Sequence, residues 1–413
     1  MKCRVLAFAS VLGLLMMPGS SLHAQGWSVQ PTGTANYLWE VRFLDSNFGL
    51  VVGDAGFVLR TTNGGSNWTV IQTSTLNSLY GLSLVDANIA YACGSGGVIF
   101  RSTDGGLSWD PQTSGTTEDL TGPWFVGPNT GTIAGVHGTI LRTTNGGATW
   151  VSQTSPADTS TLYQPFFTDA NNGVIVGLHG TIIRTTDGGA HWTQVASGTT
   201  EDLYGLSFPT KDIGYTTGMN GVALRTTDGG LSWQSLTTRS TAGLFSVNFV
   251  DANTGIAVGQ AGVILKTTNG GTTWYGQNSS VGNRLHEVWF INASTGWAVG
   301  TSGVVIHTTD GGGPTGIRSV QQPEVPANLA LEQNYPNPFN PTTTIRFAMP
   351  QTGYVTLNVY NVLGEVVATL VRDVVHAGVH EVQWNAENVP SGVYLFRVEA
   401  GGLTITRRMV LLK

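Results

Sequence analysis

A short box recurs seven times along this chain, and its spacing constrains the fold more than any other feature. It reads TTNGGSNW from Thr61, STDGGLSW from Ser102, TTNGGATW from Thr143, TTDGGAHW from Thr185, TTDGGLSW from Thr226 and TTNGGTTW from Thr267. The last copy, TTDGGGPT from Thr308, has lost its Trp. The acidic or amide positions are Asn63, Asp104, Asn145, Asp187, Asp228, Asn269 and Asp310, at spacings of 41, 41, 42, 41, 41 and 41 residues. The rest of each unit repeats as well. A strand opening on Leu and closing on an apolar residue comes first, as in Leu203–Phe208, Leu244–Phe249 and Leu285–Phe290. A short apolar strand ending in Gly follows, as in Gly255–Gly259, then a β-branched segment such as Gly262–Thr268 or Gly180–Thr186 that runs into the box. The Trp opens a fourth segment. Four short strands in about 41 residues is the period of a propeller blade.

The box has a local logic. It joins strands three and four of a blade. Its two glycines permit a tight reversal at positive φ, and the Asp or Asn side chain accepts hydrogen bonds from the turn's own amides. The Trp packs under the turn, where burying about 150–250 Å² is worth at most ~4–6 kcal/mol before entropy. Closure follows from the count. Box seven lacks a Trp and a fourth strand, and Gly26–Thr34 (GWSVQPTGT) resembles Ser108–Thr116 (SWDPQTSGT). Trp27 is therefore expected to begin the fourth strand of the last blade, so that the N-terminal residues latch the ring. The expected organisation is all-β: a seven-bladed β-propeller over residues 25–314, a linker over 315–330, and a small C-terminal β-sandwich over 331–413.

The flanks supply context. Residues 1–24 read as a secretory signal peptide: Lys2 and Arg4 precede an apolar run, Val5–Met17, too short to span a bilayer, and Leu22-His23-Ala24 offers a cleavage site. No later stretch reads as a transmembrane segment. Cys3 leaves with the leader, and Cys93, in the strand AYACG, reads as a buried small hydrophobe. The mature chain carries 17 basic and 25 acidic residues, a balance that argues against nucleic-acid binding. Six strands are read after Pro341: Thr343–Ala348, Val355–Tyr360, Val366–Leu370, His380–Trp384, Val393–Glu399 and Thr404–Leu411.

These motifs carry two resemblances. The boxes resemble the Asp-box, or BNR, repeats of sialidase-like propellers. The whole unit, with its ILRTT run into the box, is more similar to the photosystem II assembly and stability factor family of cyanobacteria and plastids. That resemblance implies a seven-bladed, non-catalytic assembly protein. Residues 331–413, through NYPNPFNP (Asn334–Pro341), VYNVLGEVV (Val359–Val367), PSGVYLFRV (Pro390–Val398) and TRRMVLLK (Thr406–Lys413), resemble the C-terminal sorting domain of type IX secretion cargo in Bacteroidetes-like bacteria. That resemblance implies the type IX machinery as a partner and a secreted or cell-surface location, reached through the periplasm.

Candidate functional residues are weighed against structural roles. Arg60, Arg101, Arg142, Arg184, Arg225, Lys266 and His307 share one repeat position. A cationic ring for an acidic partner is one reading; packing between blades, with bonds to carbonyls, is favoured because structural roles repeat with the fold. Glu118-Asp119 and Glu201-Asp202 sit in identical SGTTEDL segments, two blades apart, too far for paired acid–base chemistry. His137 and His179 occupy matching hairpins and read as turn residues, with no third metal ligand in the pattern. His376 and His380 are separated by Gly378, which argues against a zinc helix. No metal and no cofactor is expected. The variable loops before each first strand, on the face opposite the boxes, are expected to form the binding surface: Tyr37, Trp39, Tyr80, Asp119, Tyr163, Asp202, Tyr204 and Arg284. The expected function is non-catalytic binding of a surface protein or glycan. The alternatives are a sialidase- or xyloglucanase-like hydrolase, for which the sequence shows no pair of carboxylates held at a fixed separation, and a photosystem-assembly scaffold.

Overall fold

The computed structural model describes residues 26–313, 328–351, 353–375, 378–387 and 389–413. The leader assigned to 1–24, most of the linker assigned to 315–330 and His376 lie outside the described residues. The chain divides into two compact units, one carrying the repeats and one carrying residues 318–413.

The repeat unit is a propeller of seven four-stranded antiparallel sheets. Blade 1 is Leu38–Phe43, Gly49–Gly53, Phe57–Thr61 and Thr69–Gln72. The second strand of every blade is buried along its whole length, whereas the fourth is mostly exposed. The reason is stacking: a blade has no core of its own and buries its faces only against its neighbours. One apolar cluster joins Leu38, Val51 and Leu59 of blade 1 to Trp297, Val299 and Val305 of blade 7, and another joins Leu50, Val52 and Val58 to Leu79, Leu82 and Phe100 of blade 2.

Blade 7 is completed from the other end of the chain. Ser28–Gln30 pairs antiparallel with Val305–Thr308. Trp27 precedes that strand and takes the place of the missing box Trp. Its ring meets Phe290 edge-on at 5.6 Å, as Trp150 meets Phe125 at 6.0 Å and Trp192 meets Phe167 at 5.8 Å. Its Nε1 donates to Gln277 Oε1 at 3.1 Å, as Trp150 Nε1 donates to Gln112 Oε1 at 3.2 Å.

The box amides are satisfied from within, and the leading Thr or Ser shares the work with the Asp or Asn. In box 1, Thr61 Oγ1 accepts from Gly65 N at 2.9 Å and Asn63 Oδ1 accepts from Asn67 N at 2.9 Å. In box 2, Asp104 Oδ1 accepts from Ser108 N at 2.9 Å, and four hydrogen bonds hold its carboxyl down to about 2, that from the hydroxyl of Ser108 first among them. The first glycine amide of each box donates to the turn between strands one and two, as Gly64 N does to Asn47 O at 2.9 Å. Boxes and these turns therefore share one face. The hairpins between strands two and three lie on the other, beside the loops that enter strand one, as Asp54 N to Tyr37 O at 3.0 Å shows. Those hairpins are type I′ turns with two left-handed residues, His137 (φ 50°) and Gly138 (φ 66°) in blade 3.

The second unit is a β-sandwich. One sheet pairs Ala330–Leu331, Thr342–Met349 and Gly378–Asn385; the other orders Val366–Val375, Gly353–Tyr360, Gly392–Ala400 and Leu403–Leu411. The six strands expected from sequence are present and each extends further, Val366–Val375 by the most. Ile345, Phe347, Trp384, Leu357, Phe396 and Met409 fill the space between the sheets. The NYPNPFNP segment packs by Phe339, whose N donates to Val410 O and whose O accepts from Leu412 N, both at 3.0 Å.

Candidate ligand site at the channel mouth

Each first strand enters the propeller on a buried Leu, and the next residue stands at the mouth of the central channel. Around the ring these residues are Trp39, Tyr80, Thr121, Tyr163, Tyr204, Phe245 and His286. Six of the seven carry a ring, and the rings touch in series. Tyr80 meets Trp39 at 5.4 Å, Trp39 stacks on His286 at 4.3 Å with 6° between planes, and Phe245 meets His286 at 6.5 Å. Tyr204 meets Phe245 at 5.3 Å and Tyr163 at 4.9 Å. The circle breaks at Thr121, whose hydroxyl donates to Leu162 O at 2.6 Å. The crown encloses a cavity of about 490 Å³, within the ~300–1,000 Å³ usual for ligand pockets.

Of the eight residues expected at the mouth, Trp39, Tyr80, Asp119, Tyr163, Tyr204 and Arg284 line this cavity. Tyr37 and Asp202 do not. Tyr37 leans on Trp39 and His286 from outside, at 6.1 and 6.2 Å. Asp202 Oδ1 instead accepts from His179 N at 2.8 Å, and Asp119 Oδ1 likewise accepts from Gly96 N at 2.8 Å, so both carboxylates tie a loop to the hairpin of the preceding blade. The two carboxylates share no partner. His179 (φ 56°) and His137 sit in hairpin turns, and His137 Nδ1 lies 2.8 Å from Glu118 Oε2.

Beneath the crown the structure holds a carboxylate pair that the sequence reading missed. Glu40 and Glu287, third residues of the first strands of blades 1 and 7, both line the cavity and both engage Arg42, with Glu287 Oε1 at 2.6 Å from Arg42 Nη1. Arg42 also stacks over Trp289 at 4.5 Å, and Glu40 Oε2 accepts from Leu82 N at 2.6 Å. Burial pushes the Glu40 carboxyl up to about 8 against the pull of Arg42, and pushes Glu287 up as well. The expectation that no carboxylates are held together is thus corrected: the pair arises from opposite ends of the propeller sequence, and only ring closure brings it together. Phe245 and His286 were missed too, although they occupy the same repeat column as Tyr80 and Tyr204.

The residues at the end of strand three are interblade staples. Arg60 Nε donates to Gly105 O, Arg184 Nε to Gly229 O, both at 2.8 Å, and Lys266 Nζ to Gly311 O at 2.9 Å: in each case the first glycine of the next blade's box. Where the strand-two partner is aromatic, the aromatic reaches across instead. Tyr91 Oη donates to Gly146 O at 3.1 Å and Trp297 Nε1 to Gly64 O at 3.0 Å. Cys93 is fully buried, and burial pushes its thiol far up.

A family model described as photosynthesis system II assembly factor YCF48 matches residues 20–150, 112–199, 148–241, 190–285 and 233–329, and one described as secretion system C-terminal sorting domain matches residues 333–412. No curated protein matches by sequence. Among solved structures, YCF48 from Cyanidioschyzon merolae is 21% identical, covering 68% of this chain and 98% of that one at a TM-score of 0.59. YCF48 bound to D1 peptide is 18% identical, covering 71% and 99% at 0.60. PorZ, described as an essential bacterial surface component of the type-IX secretion system of Porphyromonas gingivalis, is 13% identical, covering 93% and 60% at 0.55. At these identities the likeness is one of fold.

Proposed function

From the premise that the chain belongs to the YCF48-type assembly factor family and ends in a secretion sorting domain, we propose that it is an exported, non-catalytic propeller that binds a protein or glycan at or outside the cell surface. The leader read at 1–24 and the sorting domain would take it through the periplasm and then the type IX machinery. The sorting domain argues against a photosystem role, which would keep the protein at a photosynthetic membrane. One observation carries the binding reading. The repeat columns that hold the fold together are turned inward or onto neighbouring blades, whereas the column at the channel mouth presents aromatic faces to an open cavity. Aromatic side chains in a concave site are the usual anchors of recognition. The related propeller described as bound to a D1 peptide is in keeping with a ligand-binding role for the fold.

The test is a pull-down from envelope extract with the mature chain, repeated with Tyr80, Tyr163 and Tyr204 changed together to Ala. A specific partner retained by the parent and lost by the variant is expected. Equal retention by both would refute the mouth as the binding site.

The Glu40–Glu287 pair favours a second reading, glycoside hydrolysis. Against it, both carboxylates are bound to Arg42 and each residue is at most 8% exposed, which leaves little access to a glycosidic oxygen. No turnover of sialosides or β-glucans is expected. Turnover abolished by Glu40→Gln, Glu287→Gln, Asp119→Asn or Asp202→Asn would promote the hydrolase.

A further inference from the structure

The polar groups of the mouth narrow the ligand class. Arg284 lines the cavity with its guanidinium 3.8 Å over the Phe245 ring. Arg42, Arg60, Arg142, Arg184 and Lys266 all direct donors at carboxylates or backbone carbonyls. Arg284 has no hydrogen bond or ion pair among the described residues. A planar guanidinium pinned on a ring, with its donors free, is preorganised for a carboxylate. Tyr204, Tyr163 and Tyr37 lie within its electrostatic reach. Burial raises the Tyr163 and Tyr204 hydroxyls, Tyr204 to about 12; the Tyr204 O–H is directed at Asp202 Oδ2 at 3.5 Å, and the Tyr163 O–H remains a donor beside Arg284.

Two other groups of the wall accept. His286 donates Nδ1–H to Leu38 O at 3.0 Å, and burial lowers it to about 4, so the ring is neutral and its Nε2 is an acceptor. Asp119 adds a carboxylate on the far side of the cavity. A ligand matched to this wall carries a carboxylate at one end and hydroxyl donors elsewhere, with flat apolar faces between them.

At five of the seven first strands the channel-facing amide is closed to an extended peptide. Peptides that lie along a sheet edge use its free amides. Here Glu40 Oε2 accepts from Leu82 N at 2.6 Å, Gln164 Oε1 from Leu206 N at 3.0 Å, and Ser246 Oγ from Val288 N at 3.3 Å. Blades 3 and 4 carry Pro123 and Pro165 at the same position, which have no N–H. At these blades recognition is left to side chains and ring faces.

On this basis, and resting on the mouth as the binding site, we propose that the propeller binds an acidic glycan, with the carboxylate of a uronic acid residue on Arg284 and its sugar rings against the aromatic crown. The test uses the mature chain titrated with oligomers of galacturonate, glucuronate and mannuronate, with a neutral cello-oligosaccharide, and with a peptide in free-carboxylate and C-terminally amidated forms. At least one oligouronate is expected to bind, more weakly as salt rises. Arg284→Gln should weaken it by about tenfold or more at unchanged melting temperature, with Arg284→Lys recovering part of the loss. If the neutral sugar binds as well as the uronates, and only the Tyr80, Tyr163 and Tyr204 variant abolishes it, the carboxylate assignment fails while the mouth reading stands. Binding of the free-carboxylate peptide through Arg284 without any oligouronate overturns the glycan class. If no uronate binds, the proposal is refuted, and the mouth reading is judged separately by the envelope pull-down.

Discussion

Replacing Gly173 by Ala puts a methyl group where a ring already lies. A Cβ built at Gly173 falls 2.5 Å from Phe167 Cε1, 2.6 Å from Cζ and 2.8 Å from Cδ1, far inside van der Waals contact. Phe167 and Gly173 face each other across strands one and two, as do Phe43 and Gly49, Phe249 and Gly255, and Phe290 and Gly296. Blade 2 breaks the rule at both places together, pairing Leu84 with Ala90. Its glycine can become Ala because its Phe has become Leu. Overpacking of this kind costs about 1–3 kcal/mol, reduced by the ~0.4–1 kcal/mol that Gly→Ala gains through the unfolded chain. Phe167→Leu alone should cost about 1–2 kcal/mol from lost contact with Trp192, its edge-on neighbour at 5.8 Å. The double variant rebuilds the blade 2 pairing and should be no less stable than Phe167→Leu alone, a coupling of roughly 1–3 kcal/mol in its favour. Urea denaturation of the four proteins closes the cycle. A double variant that merely sums its singles within the additivity error of ~0.5 kcal/mol would refute the steric argument.

Three further outcomes are expected. Deleting residues 25–34 should expose the edge of blade 7 and favour aggregation; a deletion that melts within ~2 °C of the parent would show that the latch contributes little. Fusing a signal peptide and residues 331–413 to an unrelated reporter should carry the reporter to the surface of a host with the type IX machinery, and a reporter held in the periplasm would sink the sorting role. Glu40, raised to about 8 by burial, keeps its proton in the native state at pH values where the unfolded chain has lost it. That contribution to stability is therefore lost as pH rises from about 4.5 toward 8. Melting temperature should fall across this window less steeply in Glu40→Gln, which keeps an acceptor for Leu82 N; identical profiles would show that Glu40 does not titrate there.

The sequence determined the propeller because each blade is a local object. The box, its glycines, the closing Phe of strand one and the strand-two Gly all lie within one repeat, so their period was visible without knowing where the ring closes. Even closure was legible, since Gly26–Thr34 repeats the pattern of Ser108–Thr116. The staple role of Arg60, Arg184 and Lys266 was likewise implied by its repetition. Tertiary structure decided what happens between blades. Glu40 and Glu287 become a pair only when blades 1 and 7 meet around Arg42. Phe245 and His286 join Trp39 and Tyr204 in one wall only when the first strands converge on the channel. Asp119 and Asp202 look alike in sequence, yet only Asp119 reaches the cavity. Repeat period encodes contacts within a blade and between adjacent blades in register, whereas the mouth is a sum over the whole ring, and its chemistry lies in how one column varies among its copies.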